Sequence, residues 1–293
     1  LASFLSDRCN APDMKEFIAE LHKKDIYVIG RITAFQDPHY AKLHPELAVK
    51  RASDGGIWAD RKGIHYLDPG SQEVWDHLIA IGKASYDIGF DELNYDYIRF
   101  PSDGNMKDIS FPFSKDRPKP LVIEEFFSYL HDHLKPTGVM LSADLFGMTT
   151  TNTDDLNIGQ VLERAMPYFD YIAPMVYPSH SPATFNGWTD PNKHPYDLIK
   201  YVMDAAVQRT IATSSIFNIK GSQPIASTTP QQYTKKAYDK NKMRPWLQDF
   251  DYGGNYDVAE VKAQIQATYD TGLSSWMLWA PSNRYTQGAL LLE

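Results

Sequence analysis

Six short apolar runs constrain the fold of this chain most strongly, because each is followed by a polar or Gly/Pro-rich loop and then by a helical pattern. Apolar residues in 14–21 and again in 258–265 recur at the spacing of one helix face. Strand, helix, strand, helix is the pattern of a parallel sheet with helices packed outside it. The predicted strands are residues 26–32, 90–98, 138–144, 170–177, 243–249 and 273–279.

Acids at the carboxyl ends of three predicted strands favour a closed barrel over a doubly wound sheet. Asp96, Asp144 and Asp249 lie at these ends, and barrel enzymes assemble their sites from the carboxyl ends of several strands. A doubly wound nucleotide-binding sheet would instead place a glycine-rich turn after its first strand. Since a barrel closes with eight strands, we expect an α/β (β/α)8 TIM barrel that lacks its first two strands in this chain.

The composition indicates one large domain. With 293 residues, 43% of them hydrophobic, the chain can bury one sizeable core. We therefore expect a single catalytic barrel domain over residues 1–293, truncated at its N-terminus. The net charge of −8 argues against a nucleic-acid partner and fits a neutral or weakly charged substrate better. No membrane span is predicted, because no apolar run approaches the roughly 18 residues that cross a bilayer.

The strand at 90–98 places polar side chains on one face. Alternation puts Glu92, Asn94 and Asp96 on this face and apolar or aromatic residues on the other. The outer face of a barrel strand packs on helices, so the polar side chains are expected to point into the lumen. Asp96 lies nearest the rim, where a ligand can reach it, and Arg99 is close enough in sequence to stabilise its charge.

Hydrolysis of a glycosidic bond characteristically needs two carboxyl groups, one to protonate the leaving oxygen and one to attack the anomeric carbon or activate water. Asp96 is the candidate nucleophile or base, and Asp144, at the end of the next strand, is the candidate proton donor. Asp249 is a third candidate. The alternative for each single acid is that it only holds a loop through hydrogen bonds to backbone amides.

Aromatic and polar side chains near strand ends and in the following loops complete the pattern of a sugar-binding site, because pyranose C–H faces stack on rings. Any one such ring is more often part of a core. The predicted substrate-binding residues are Asn94, Arg99, Phe146, Tyr177, His180, Trp246, Trp279, Asn283, Arg284 and His39.

The histidines do not predict a metal site. The "HDH" segment at 131–133 points its two imidazoles to different helix faces. Asp37, His39 and His44 lie close together in sequence but lack matching ligands elsewhere, and Cys9, the single cysteine, excludes sites built from several thiolates. We predict neither a metal nor a cofactor.

The chain resembles a bacterial glycosyl hydrolase family, formerly a domain of unknown function, that is expected to form a (β/α)8 barrel. The resemblance runs nearly end to end and implies the same fold here, with two more strands before the first helix. It is carried by the segments "IYVIGRITAFQDPHYAKLHPELAV", "GFDELNYDYIRFPSDG", "LSADLFGMTT", "YIAPMVYPSHSP", "HPYDLI", "RPWLQDF" and "WMLWAPSNRYT".

A more distant resemblance separates two kinds of chemistry. Chitinases carry a strand reading G-F-D-x-x-D-x-D-x-E, whose last Glu is the acid. Asn94 and Asp96 stand at two of its Asp positions, but Ile98 stands at the Glu. The arrangement is more similar to the α-amylase and α-galactosidase families, in which an Asp on the fourth strand is the nucleophile.

The sequence thus predicts a glycosidase that cleaves O-glycosidic bonds of a poly- or oligosaccharide. Two alternatives stay open. A non-catalytic carbohydrate-binding barrel would have aromatic rings in its cleft but no paired carboxyls, and a metal-dependent polysaccharide deacetylase would bring His and Asp to one ion. An extracellular or cell-envelope location is expected, because polymeric glycans are usually met there.

Overall fold

All six predicted strands are present in a computed structural model of the chain, which describes residues 13–216 and 233–290. The helices in these ranges are α1 (Met14–His22), α2 (Pro38–Leu43), α3 (Gln72–Asp87), α4 (Lys119–Leu134), α5 (Leu162–Ala165), α6 (Pro195–Ile211) and α7 (Val258–Asp270). The strands are β1 (Ile29–Thr33), β2 (Glu92–Asp96), β3 (Met140–Phe146), β4 (Tyr171–Met175), β5 (Ser214–Ser215), β6 (Tyr233–Thr234), β7 (Trp246–Gln248) and β8 (Met277–Trp279).

The chain divides into two compact units. The first takes in Leu1–Asp116 and Glu125–Ser142, and the second takes in Arg117–Glu124 and Ala143–Glu293. The strand order is β1-β2-β3 in the first unit and β3-β4-β7-β8 in the second, so β3 contributes its first three residues to one and its remaining residues to the other.

The first unit is built on the parallel pair β1 and β2, in which Ile29 lies opposite Glu92 and Thr33 opposite Asp96. All five residues of β2 are buried. On the face of β2 that was predicted to meet helices, the Tyr95 hydroxyl donates to the carbonyl of Leu78 in α3 at 3.4 Å. The prediction that this face packs on a helix is therefore confirmed.

Two local features of the first unit are helix α1 and a small core in the loop after α2. In α1, the Asp13 carboxylate caps the first turn and Ile18 is buried, but Phe17 stays 46% exposed, so the apolar stripe is narrower than its spacing predicts. In the long loop after α2, Trp58 is 1% exposed and packs with Val49 and Tyr66 in a small core. Trp58 is therefore a core residue of this loop.

The second unit continues the parallel arrangement. Met175 of β4 lies opposite Trp246 of β7, and Gln248 of β7 lies opposite Trp279 of β8. The helix α7 begins with a capping box in which Asp257 and Glu260 each bond the other's backbone amide. These pairings bring the aromatic residues of β7 and β8 to neighbouring positions.

The insertion between α6 and β7 begins and ends with the antiparallel pair β5 and β6, in which Ser214 lies opposite Thr234. The sequence predicts no strand there, and residues 217–232 of this segment lie outside the described residues. Every helix in the described ranges is too short or too polar to cross a bilayer.

Candidate functional site

Asp96 lies at the carboxyl end of β2 and is held by an arginine from the neighbouring strand. It is 3% exposed, one carboxylate oxygen pairs with the Arg31 guanidinium, and the other accepts from the backbone N–H of Tyr97 at 2.6 Å. The register explains the ion pair, because Arg31 lies opposite Asn94 and its side chain shares the face of Asp96. A buried carboxylate needs such a partner to offset its desolvation.

The remaining polar residues of β2 form a buried polar layer below Asp96. Glu92 accepts from the Tyr27 hydroxyl at 3.2 Å, and the Asn94 amide donates to the Ser142 hydroxyl of β3 at 3.0 Å. Both side chains are fully buried. Glu92 and Asn94 thus share a buried polar face with Asp96, as the alternation of the strand predicts.

The Arg99 guanidinium contacts several groups in the loop after β2. It is buried, donates to the Phe100 carbonyl at 3.1 Å and to the Ser102 hydroxyl at 3.3 Å, and lies 5.2 Å from the centre of the Tyr97 ring. The guanidinium also lies 5.9 Å from the Tyr66 ring, and burial raises the pKa of that tyrosine. Arg99 thus ties the loop after β2 to the core around Trp58.

Asp144 lies near the carboxyl end of β3 and is held by a tryptophan. It is 1% exposed, and its Oδ1 accepts from the Trp246 indole N–H at 2.7 Å. The Gln160 side chain supports this strand end, because its carbonyl oxygen accepts from the Phe146 amide at 2.9 Å. The Trp246 ring meets the edge of the Trp279 ring, with centroids 5.9 Å apart and an interplanar angle of 83°. A carboxylate and two indole rings therefore form one cluster.

Asp249 has a loop-holding geometry. It follows β7, is 4% exposed, and accepts from both the backbone N–H of Thr286 at 2.9 Å and the Thr286 hydroxyl at 2.6 Å. It thereby fastens the loop that carries Asn283 and Arg284, both of which are exposed. This is the arrangement described above as the alternative for a single acid.

Tyr177 and His180, which follow β4, meet two aromatic residues that follow β7. The Tyr177 ring centre lies 5.4 Å from that of His180 and 5.6 Å from that of Phe250, and the His180 ring centre lies 5.9 Å from that of Tyr252. We call these four residues the aromatic platform. Although His180 is an exposed residue, partial burial of its ring lowers its pKa.

His39 is exposed on α2, where its backbone N–H donates to the Asp37 carboxylate at 3.0 Å. Within residues 13–216 and 233–290, no group of three His, Cys, Asp or Glu side chains is arranged to hold a metal ion.

Sequence reasoning missed four residues that the structure places beside the candidates. Arg31 interrupts the apolar run of β1, and this interruption is the signal that could have identified it. The other three are close to Asp249 in sequence: Gln248, Phe250 and Tyr252. The strand β7 has only three residues, which is too few for alternation to show where these side chains point.

Comparisons with solved structures show the fold. The glycoside hydrolase domain of PgaB (BpsB) from Bordetella bronchiseptica is 12% identical, with 89% of this chain and 72% of that chain covered and a TM-score of 0.57. The spore cortex-lytic enzyme SleL from Bacillus megaterium QM B1551 is 11% identical, with 94% and 60% covered and a TM-score of 0.52. The α/β fold of parallel strands and helices is therefore that of TIM-barrel-like glycoside hydrolases, and the predicted fold class is confirmed.

A hypothetical protein from Ruminiclostridium thermocellum ATCC 27405 is 38% identical over 46% of this chain and 67% of that chain, with a TM-score of 0.42. A comparison with curated proteins gave no match. The family described as "Putative glycosyl hydrolase domain" matches residues 3–285, which is nearly the whole chain. The resemblance read from the sequence is thus confirmed, and the chain belongs to this glycosyl hydrolase-like family.

Proposed function

We propose that the protein is a glycosidase that cleaves O-glycosidic bonds of a poly- or oligosaccharide. The observation that carries the proposal is the cluster of Asp144, Trp246 and Trp279, which joins a carboxyl group to aromatic rings in a chain of the glycosyl hydrolase-like family. A sugar ring needs both, since its C–H face stacks on an indole while its glycosidic oxygen needs an acid.

The hydrogen bond from Trp246 suits Asp144 as the proton donor. An indole N–H only donates, and the carbonyl oxygen of a protonated carboxyl group accepts better than its hydroxyl oxygen, so the proton is favoured on the Asp144 oxygen that does not face Trp246. The proton would then be on the second oxygen of the carboxyl group. A fixed orientation of this kind is what a general acid needs at the leaving oxygen.

The ion pair of Asp96 suits the complementary role. The Arg31 guanidinium compensates the negative charge of the Asp96 carboxylate and fixes its position, as a nucleophile or general base requires. In this assignment Asp249 is the reserve acid, and its bonds to Thr286 give it a second task in fastening a loop.

The test is hydrolysis of a panel of poly- and oligosaccharides by the wild type and by Asp144→Asn and Asp96→Asn. We expect each substitution to lower kcat/KM by about 10²–10⁴-fold, the range for loss of a catalytic acid or base. Asp132→Asn, an exposed aspartate on α4, is the matched control and should keep full activity. Turnover by Asp144→Asn equal to that of the wild type would remove Asp144 from the mechanism.

A second candidate function is carbohydrate binding without catalysis. It is favoured by the way Asp96 and Asp249 are buried and held by partners within the protein. Binding of a glycan by the wild type, with no product released from any member of the panel, would establish this second function in place of the first.

A further inference from the structure

The aromatic platform changes from buried to exposed along its length. Tyr177 is 8% exposed, whereas Tyr252 is 64% exposed and is the most exposed large hydrophobic side chain in the described part of the molecule. An isolated exposed tyrosine needs no explanation, but Tyr252 extends a set of rings that are in mutual contact through His180. Its ring combines an apolar face with a polar hydroxyl, which is the combination that stacks on a sugar.

A buried glutamine holds the two segments that carry the platform. The Gln248 side-chain oxygen accepts from the backbone N–H of Ser179 at 3.1 Å, and its side-chain nitrogen donates to the Phe250 carbonyl at 2.9 Å. The Gln248 backbone is fixed in turn by two hydrogen bonds with the Gln264 side chain, at 2.9 and 2.8 Å. Both sides of the platform are therefore positioned before any ligand arrives, which lowers the entropic cost of binding.

The loop that presents Tyr252 is also fixed at both sides. The Asp251 carboxylate accepts from the Tyr256 backbone N–H at 2.8 Å. Gly253 has a φ of +68°, and a Cβ at this position would lie 2.9 Å from the Asn192 amide nitrogen. A residue with a side chain would strain this turn, so the glycine permits the close approach that orients the tyrosine.

We propose that the aromatic platform is a stacking subsite for a pyranose ring of a neutral oligosaccharide, an inference that rests on the proposed carbohydrate function. The groups beside the rings favour a neutral sugar. Asp249 and Asp251 are acidic, the formal net charge of the chain is −8, and partial burial of the His180 ring favours its uncharged form. An anionic chain would gain no compensating charge from these groups.

Calorimetric titration of an Asp144→Asn protein measures binding separately from hydrolysis. The probes are cellohexaose, maltohexaose, xylohexaose and the hexamer of N-acetylglucosamine, with polygalacturonate as the anionic comparison. We expect at least one neutral probe to bind and Tyr252→Ala, added to Asp144→Asn, to weaken that binding by about tenfold, as loss of one stacking contact would. Tyr201→Ala is the matched control, because Tyr201 is a 42% exposed tyrosine of α6 outside the platform.

Three results would overturn the subsite: no binding of any neutral probe, stronger binding of polygalacturonate than of the neutral probes, or equal affinity with and without the Tyr252 ring. The outcomes also separate the two proposals. If hydrolysis depends on Asp144 but affinity does not depend on Tyr252, the glycosidase proposal is supported and the subsite is rejected. If affinity depends on Tyr252 but the wild type hydrolyses nothing, the subsite is supported and the glycosidase proposal is rejected.

Discussion

Asp144 and Asp249 are both buried acids near the carboxyl ends of parallel strands, but they differ in the group that each holds. Asp249 bonds the backbone and hydroxyl of Thr286, so its carboxylate is used to fasten a loop. Asp144 accepts from the side chain of Trp246, whose ring continues to Trp279. The sequence shows that each acid lies at a strand end, but it does not show which residue bonds the carboxyl group. That residue is 102 positions away for Asp144 and 37 positions away for Asp249.

The substitution Trp246→Phe keeps an aromatic ring at this position and removes the N–H that bonds Asp144. We expect kcat/KM to fall by up to about tenfold, because the lost bond orients the protonated Asp144 carboxyl group, and a hydrogen bond to a neutral group is worth roughly 0.5–1.5 kcal/mol. Trp276→Phe is the control, since it also removes the hydrogen bond of a half-buried indole, to the Tyr269 hydroxyl at 3.0 Å. Steady-state kinetics on the best substrate of the panel is the measurement. Equal losses in the two variants would contradict a specific role for Trp246.

At the scale of elements, α3 packs against the face of β2 that carries Tyr95, opposite to the face that carries Asp96. Gly82 of α3 lies so close to β2 that a Cβ there would be 2.6 Å from the Tyr95 hydroxyl and 3.2 Å from a methyl of Leu134. Alanine is favoured over glycine in a helix by about 1 kcal/mol, yet we expect Gly82→Ala to lower the free energy of unfolding, because overpacking costs roughly 1–3 kcal/mol. Urea unfolding measures the change.

The double variant Gly82→Ala with Tyr95→Phe removes the hydroxyl in the way of the new methyl group. It should recover stability relative to Gly82→Ala alone, because the clash is with that oxygen atom. If Tyr95→Phe makes no difference to the Gly82→Ala protein, then Tyr95 does not meet α3 as described. In that case the assignment of Asp96 to the opposite face of β2 would also fail.

A second element-scale feature joins α5, α6 and the turn after β3. Arg209 of α6 donates to both Glu163 oxygens at 2.8 and 2.5 Å, and its Nη1 donates to the carbonyls of Thr149, Thr150 and Asn152 at 2.6–2.9 Å. Burial opposes the charged form of Glu163, but the Arg209 guanidinium prevails and holds the pKa of Glu163 below its ordinary value of 4.5. We expect Arg209→Met to destabilise the protein by about 3–5 kcal/mol, because it leaves a buried carboxylate unpaired.

The ion pair of Arg209 and Glu163 also predicts that the stability of the protein depends on pH. Since the pKa of Glu163 is lower in the folded than in the unfolded chain, its contribution is present above pH 4.5 and is lost as the pH falls through the folded-state value. Urea unfolding of the wild type and of Glu163→Gln should therefore converge as the pH falls below 4.5. A constant difference between the two proteins across this range would contradict the ion pair.

The positions of the strands were easier to predict than the contacts between strands. Each of the six predicted strands is an apolar run bounded by turn residues, and this local signal is enough to place it. The ion pair of Arg31 with Asp96 depends on the register of β1 against β2, 65 residues apart, which hydrophobic alternation does not encode. The antiparallel pair β5 and β6 has two residues in each strand, too few for a period to appear.

At the scale of the whole molecule, the sequence resemblance and the fold agree. The family match covers residues 3–285, and structures only 11–12% identical share the fold. Fold follows from patterning that many sequences satisfy, whereas the substrate is determined by particular side chains. Trp246, Tyr252 and their neighbours therefore have to be tested individually.

The formal net charge of −8 predicts how the intact protein distinguishes classes of polysaccharide. An anionic chain is repelled over a distance that shrinks as salt is added, whereas a neutral chain is not. We expect KM for a neutral oligosaccharide to be nearly the same in low-salt and high-salt buffer, and any binding of polygalacturonate to be weaker in low salt. A basic protein of similar size is the control for polygalacturonate and should show the opposite trend. Tighter binding of polygalacturonate at low salt would mean that a local cationic site outweighs the net charge, and it would remove the electrostatic argument for a neutral substrate.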